Sequence, residues 1–321
     1  MAATVDLTNP IFTDLDKARE HFEAIRWPDG AYCPFCGSFD RVAKLGGKSM
    51  GPGWYHCKDC RRKFTAAVGT IYERSHIPLT KWLLATHLMC ASKKGMSAHQ
   101  LHRMMGLPYK TAWFMAHRIR EAMRELNPAP VGGEGKTVEA DETYVGGKER
   151  NKHRSKRNRE NIGSVGKEVV FGLVEREGKV RSHHVPRVTA KSLRPILDAQ
   201  LQDAEKTKLM TDGEGQYRLV APMFASHEVV NHSIGEYVRG DAHTNTIEGY
   251  FSILKRGITG TYHHVSGKHL KRYLAEFDFR YNERAALNVT DAERAVKAVK
   301  GVVGKRVTYQ RTDRSGSEVV H

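Results

Sequence analysis

V-E-A-D-E-T-Y-V, residues 138–145, is the stretch on which the fold turns. Its β-branched and aromatic residues predict a strand, yet it carries three carboxylates. Asp and Glu are depleted from half-buried strands unless something there requires them. Asp141 is therefore a candidate for chemistry rather than a solvated charge. At strand period Glu139 shares its face and is a spare, while Glu142 points elsewhere.

Working outward, residues 169–175 and 180–185 are strand-like and pair across the Glu177-Gly178 turn. Residues 192–201 read as a helix, and 208–211 as a short strand running into Asp212-Gly213. Residues 227–232 read as a further strand. Residues 244–255 read as a helix with Ile247, Phe251 and Leu254 on one stripe. Amphipathic helices follow over 270–281 and 291–303, then a frayed tail over 305–321. Three strands, a helix, two strands and a helix match the RNase H-like order, not the regular alternation of a doubly wound sheet.

Two more carboxylates join Asp141, and Asp212 shares its apolar, strand-like company. Asp212 ends a short strand in L-M-T-D-G, and Glu248 lies on a helix in H-T-N-T-I-E-G. Thirty-five residues separate them, and Lys255 follows Glu248 by seven, two turns along one face. Cutting a phosphodiester needs an activated oxygen nucleophile and relief of charge on the leaving oxygen. Two Mg²⁺ or Mn²⁺ ions about 3.5–4 Å apart do both, and such hard cations take carboxylate oxygens. Asp141 would bridge the ions, Asp212 and Glu248 would each hold one, and Lys255 would grip a phosphate.

The front of the chain has another texture. Residues 13–26 form a short amphipathic helix that Thr13 can cap, with Leu15, Ala18, Phe22 and Ile25 at helical spacing. C-P-F-C at 33–36 and C-K-D-C at 57–60 are separated by 20 residues. Four thiolates at this spacing surround one Zn²⁺ tetrahedrally and leave no open position, so the metal is structural. Cys90, on an apolar helix, is a small core residue. Residues 78–126 are helical in three pieces, broken near Gly95 and Gly106-Leu107-Pro108. The last two pieces have helix-turn-helix form. Leu101, Met105, Leu107, Ala112, Phe114 and Met115 make their core, and Tyr109, Lys110 and Thr111 are offered to DNA.

The expected domains are an N-terminal helix (1–30), a zinc ribbon (31–72), an all-α helix-turn-helix domain (73–130), an α/β RNase H-like catalytic domain (131–290) and a C-terminal helix with tail (291–321). The P-A-P-V-G-G stretch at 128–133 is the linker between the last two large ones. The chain has 321 residues, with 52 Lys+Arg against 36 Asp+Glu, a net charge of +16. A field of that sign favours nucleic acid. Seven Lys or Arg fall between Lys148 and Arg159. Lys152, Arg154, Lys156 and Arg157 among them are candidate contacts to the DNA backbone. No segment approaches ~20 continuous apolar residues, and the first residues carry no signal pattern. The expected compartment is the cytoplasm, where thiols stay reduced.

With these features assembled, the sequence resembles the bacterial insertion-sequence transposases that carry an N-terminal zinc ribbon and a DDE-type catalytic domain, the ISXO2-like group. The stretches that carry the resemblance are E-A-D-E-T-Y-V-G-G-K (139–148), M-T-D-G-E-G-Q-Y (210–217), H-T-N-T-I-E-G-Y-F-S-I-L-K-R-G-I (243–258), Y-H-H-V (262–265) and Y-L-A-E-F-D-F-R-Y-N-E-R (273–284). It covers residues 12–310 or so. It implies an RNase H-like fold, divalent metal, terminal inverted repeats and target DNA as substrates, and strand transfer. Synapsis of two ends implies a homo-oligomer. In this group the third catalytic position is Glu or Asn, followed by Lys. This chain offers both, Asn245 and Glu248, one turn apart. Glu248 is favoured because a carboxylate binds Mg²⁺ better than an amide. Two other readings stand beside transposition: an RNase H-like nuclease or resolvase that does not join strands, and a DNA-binding regulator with a dead site.

Overall fold

The chain divides into two units, residues 1–91, 98–123 and 291–321 by sequence in one and 92–97 and 124–290 in the other. The computed structural model describes residues 6–47, 50–158, 160, 163–213, 215–236 and 238–308. Arg159, Glu214 and most of the tail (309–321) lie outside the described residues. Among those described, no helix is long and apolar enough to cross a membrane.

Helix α1 (Leu15–Arg26) opens the first unit. Asp14, not Thr13, caps it, because its carboxylate accepts the N–H groups of Asp16 and Lys17 at 2.8 and 3.0 Å. Thr13 instead closes the preceding 3-10 turn, Pro10–Phe12. Strands β1 (Val42–Lys44), β2 (Trp54–Cys57) and β3 (Lys63–Thr65) form an antiparallel ribbon in that order. Helices α2 (Leu79–Ala91), α3 (Ala98–Met105) and α4 (Tyr109–Met123) follow. Gly106, at φ +60°, makes the turn between α3 and α4 in a conformation that favours glycine. Leu101, Met105, Ala112 and Met115 are buried between the helices. Leu107 and Phe114, expected beside them, stay half-buried. Phe114 lies under the Arg118 guanidinium, 5.7 Å from its ring centre.

The second unit is built on a five-stranded sheet. Strands β4 (Thr137–Val145), β5 (Glu168–Glu175) and β6 (Val180–Val185) form an antiparallel meander. Helix α5 (Ala190–Gln200) then leads to β7 (Lys208–Thr211), parallel to β4, and β8 (Ser226–Val229), parallel to β7. The strand order is β6-β5-β4-β7-β8. Strand β8 stops short of the expected residue 232. Its one neighbour, β7, ends at Thr211, and the chain leaves in a 3-10 turn at His232–Ile234. Helices α6 (Asn245–Gly257) and α7 (Gly267–Asn282) complete the unit.

Alternation along the strands separates two cores. Val145, Val170 and Val174 pack with Ile247, Phe251 and Leu254 of α6 and Leu270, Leu274 and Phe277 of α7. Val138, Ala140, Phe171 and Leu173 pack with Leu193 and Leu197 of α5 and with Tyr217. A mixed sheet covered by helices on both faces is an RNase H-like arrangement.

Helix α8 (Asp291–Lys300) returns to the first unit. Buried Arg294 donates to the carbonyl of Cys90, at the end of α2, at 2.9 Å. Beyond α8, Val303 bridges to Thr70, and Ile71 N–H reaches the Val302 carbonyl at 3.2 Å.

Gly172, opposite Asp141 in the β4–β5 ladder, lets α6 approach the sheet. A Cβ there would stand 2.7 Å from Ile247 Cδ1 and 2.9 Å from Phe251 Cζ, both on buried side chains. Gly172→Ala is therefore expected to destabilise the chain by ~1–3 kcal/mol through overpacking. That corresponds to a fall in Tm of roughly 2–10 °C, and thermal melting beside wild type checks it.

Candidate metal centre and carboxylate site

The ribbon brings its four cysteines together. Cys33 and Cys60 Sγ are 3.5 Å apart and Cys36 and Cys57 Sγ 3.6 Å, and all four sulfurs lie within 4.8 Å of one another. Ligands at ~2.3 Å from a tetrahedral Zn²⁺ stand about 3.8 Å apart, so the cluster fits zinc. Gly37, at φ +76°, makes the first knuckle, and its N–H reaches the Cys33 carbonyl at 2.9 Å. At the second knuckle the Cys60 backbone N–H points at Cys57 and lowers its thiol to about 7, while burial pushes the neighbouring Cys60 thiol up.

In the second unit the sheet register gathers the acidic residues. Thr137, Val138 and Glu139 of β4 pair with Lys208, Leu209 and Met210 of β7. Two more steps along the same register place Asp141 beside Asp212. Asp141 is 8% exposed. Burial raises its carboxyl to about 8, with the Asp212 charge the next cause, and Glu142 and Glu248 adding to it. The Glu142 N–H, 2.7 Å from Asp141 Oδ1, offsets part of this. Asp212 is also raised, first by burial and further by Glu248, with His232 opposing. The three carboxylates thus share one field. Among the described residues only the cysteine cluster closes its ligand atoms within 4.8 Å.

Glu248 lies in the first turn of α6. Its Oε1 accepts from Thr244 Oγ1 at 2.9 Å and stands 3.4 Å from His232 Nε2. Asn245, the first residue of α6, and Lys255, two turns beyond Glu248, are exposed. Glu139, the spare of the sequence reading, has other work. It is fully buried, and Thr246 N–H (2.9 Å), Thr246 Oγ1 (2.9 Å), Ile247 N–H (3.0 Å) and Arg176 Nε (2.8 Å) all donate to it. Glu142 faces the opposite side, where Gln216 Nε2 and Tyr217 Oη donate to it at 2.5 and 2.7 Å. Sequence reasoning missed Arg176 and His232, because each reaches the site from a turn with no periodicity of its own.

The candidate DNA contacts lie on exposed elements. Tyr109 and Lys110 are exposed at the start of α4 and Thr111 is half-buried, with Tyr109 stacked on His99 at 4.2 Å. After β4, residues 148–158 form two exposed 3-10 turns. Lys152 pairs with Glu149 at 2.7 Å, and Arg157 donates to the carbonyls of Lys152 and Arg150 at 2.9 and 2.7 Å. Arg157 thus shapes the segment, while Arg154 and Lys156 stand in solvent.

Residues 132–282 match the ISXO2-like transposase domain, and residues 14–63 match the transposase zinc-ribbon domain. The chain is also similar to an uncharacterized protein in transposable element ISH50 of Halobacterium salinarum. Identity is 32% over 278 residues, which cover 84% of this chain and 91% of that protein.

Two outcomes are expected. Cys33→Ser or Cys60→Ser removes a ligand from a module too small to fold unaided. Metal analysis of these variants should show lost zinc, and proteolysis should show residues 31–72 cleaved first. Asp141 behaves in the opposite sense. Its folded pKa of about 8 lies above its ordinary value, so its contribution to stability is present at pH 4 and is lost as pH rises through 8. With zinc in place but no other divalent ion, Asp141→Asn should melt higher than wild type at pH 8, by at least ~1 kcal/mol or a few degrees. The gain should vanish near pH 4, and equal melting curves at pH 8 would count against the crowding of charge.

Proposed function

Since the chain belongs to the ISXO2-like insertion-sequence transposases, we propose that it binds the terminal inverted repeats of its element and carries out metal-dependent DNA cleavage and strand transfer. The observation that carries this reading is the register that sets Asp141 beside Asp212 with Glu248 in their field. A buried cluster of like charges is costly unless a cation joins it. This donor set, all carboxylate, suits magnesium or manganese.

Asp141, Asp212 and Glu248 are the ligands in this reading. Two bound divalent ions would supply charge relief at the phosphate and a more acidic attacking hydroxyl. Asp141, buried on the central strand β4, fixes the centre of the site. Glu248 is aimed by the Thr244 hydroxyl. Lys255, exposed on the same helix, holds a phosphate of the DNA end. Asn245 is the alternative third ligand. Tyr109, Lys110 and Thr111 contact DNA from the start of α4, where the backbone N–H groups also favour a phosphate. Lys152, Arg154, Lys156 and Arg157 contact the backbone beyond β4. Two ends must be joined together, so the active species is a homo-oligomer on DNA.

Strand transfer on DNA bearing the terminal repeats tests the assignment. Each ~1.4 kcal/mol lost from the transition state costs tenfold in rate. Asp141→Asn, Asp212→Asn and Glu248→Gln should each fall by ~10³-fold or more, while still binding repeat DNA. Asn245→Ala should fall by ~10–100-fold, as for a residue that only supports a ligand. A dead Asn245→Ala beside an active Glu248→Gln would move the third ligand to Asn245. Cleavage without joining in the wild type would instead identify a nuclease.

A further inference from the structure

We propose that Glu142 is a positioning residue for the divalent-ion site: its carboxylate anchors the chain just past Asp212 to the strand that carries Asp141. This rests on the reading of Asp141 and Asp212 as ligands, and adds a group that itself binds no ion. The need for an anchor follows from the register. The β4–β7 ladder covers residues 137–139 and 208–210, so both aspartates lie beyond its last pair, Glu139 with Met210. On its other side β4 stays paired with β5 as far as Val145, which holds Asp141. On the far side of β7, Thr211 pairs with Val229. The Thr211 hydroxyl also bridges the Gly213 carbonyl at 2.9 Å and His227 Nε2 at 2.8 Å. Each aspartate is thus tied to the strand that lies away from the other. Like charges side by side push such strand ends apart.

Glu142 spans the opening. It follows Asp141 on the opposite face of β4 and is half-buried. Gln216 Nε2 donates to its Oε1 at 2.5 Å and Tyr217 Oη to its Oε2 at 2.7 Å. These donors stand four and five residues past Asp212. Tyr217 is a firm post, 1% exposed and in one core cluster with Phe171, Leu193 and Leu197. Burial, and then the Glu142 charge, pushes its phenol well above the ordinary value, so it stays a donor. Hydrogen bonds to an ionised acceptor are roughly twice as strong as neutral ones. The Glu142 N–H meanwhile donates to Asp141 Oδ1 at 2.7 Å. One residue therefore orients Asp141 through its backbone and restrains Asp212 through its side chain.

The test follows Mn²⁺ binding to the full-length, zinc-loaded chain by electron paramagnetic resonance of the free ion, beside thermal melting. Gln216→Ala/Tyr217→Phe removes both donors and leaves every carboxylate in place. It should weaken Mn²⁺ binding by about 10–100-fold, the scale for lost support of a ligand. Combining it with Glu142→Ala should bind no more weakly than Glu142→Ala alone, because both break one tether. Glu142→Gln still accepts from Tyr217 and, with the Gln216 amide turned over, keeps both bonds. It should recover most of the binding that Glu142→Ala loses. Tyr217→Phe alone, which keeps the ring packed, should show a smaller loss and replaces the double variant if that one folds poorly. Wild-type Mn²⁺ affinity in these donor variants, with only a lower melting temperature, overturns the inference. Glu142→Gln binding as weakly as Glu142→Ala also overturns it, since the charge and not the tether then governs the site. In either case, Mn²⁺ binding that is lost in Asp141→Asn leaves the carboxylate reading standing. Failure of wild type to bind Mn²⁺ at all overturns that reading and the inference with it.

Discussion

A buried carboxylate meeting the first turn of a helix is the interaction on which the second unit depends. Glu139 takes the N–H groups of Thr246 and Ile247, the Thr246 hydroxyl and the Arg176 guanidinium. The positive end of the α6 dipole and the guanidinium together balance its charge. Arg176 also donates to the His243 carbonyl at 2.9 Å, so the β5–β6 turn and the approach to α6 are held by the same group. Glu139 and Asp141 are two apart on one strand face. Pinning α6 at Glu139 therefore fixes where Glu248 can stand relative to Asp141.

The two strand carboxylates make a physical contrast. Glu139 has four donors and no exposure, while Asp141, one step further along the same face, has the Glu142 N–H and three acidic neighbours. One buried charge is thus balanced fully and the next is left crowded, the contrast on which the proposed cation site rests. Gly172 belongs to the same design. By withholding a side chain opposite Asp141 it lets α6 close on the sheet, which deepens the burial that raises the Asp141 carboxyl.

Much of this was legible in the sequence, for identifiable reasons. The alternation over 138–145, the paired C-x₂-C turns and the strand-and-helix order are local patterns, and local patterns survive folding. The acidic candidates were legible because a carboxylate inside an apolar strand needs an explanation. What was missed depended on distance along the chain. Glu139 meets Thr246 across 107 residues, and no periodicity announces that. His232 stands just past a strand that ended earlier than its composition suggested. Asp14 displaced Thr13 as the cap because its carboxylate reaches two N–H groups at once. The destination of α8 was open as well, since an amphipathic helix states that it packs but not against what.

That destination has a consequence for how the protein comes into being. The first unit is closed by Arg294, Val302 and Val303, from the far end of the chain, and the whole second unit is threaded between its parts. During synthesis at ~5–20 residues per second, α8 leaves the ribosome roughly ten to thirty seconds after Met123. Until then α2 waits without its neighbour, and the nascent front end is an unfinished fold. Completion of the first unit therefore waits on the synthesis of a helix that follows the second unit in the chain.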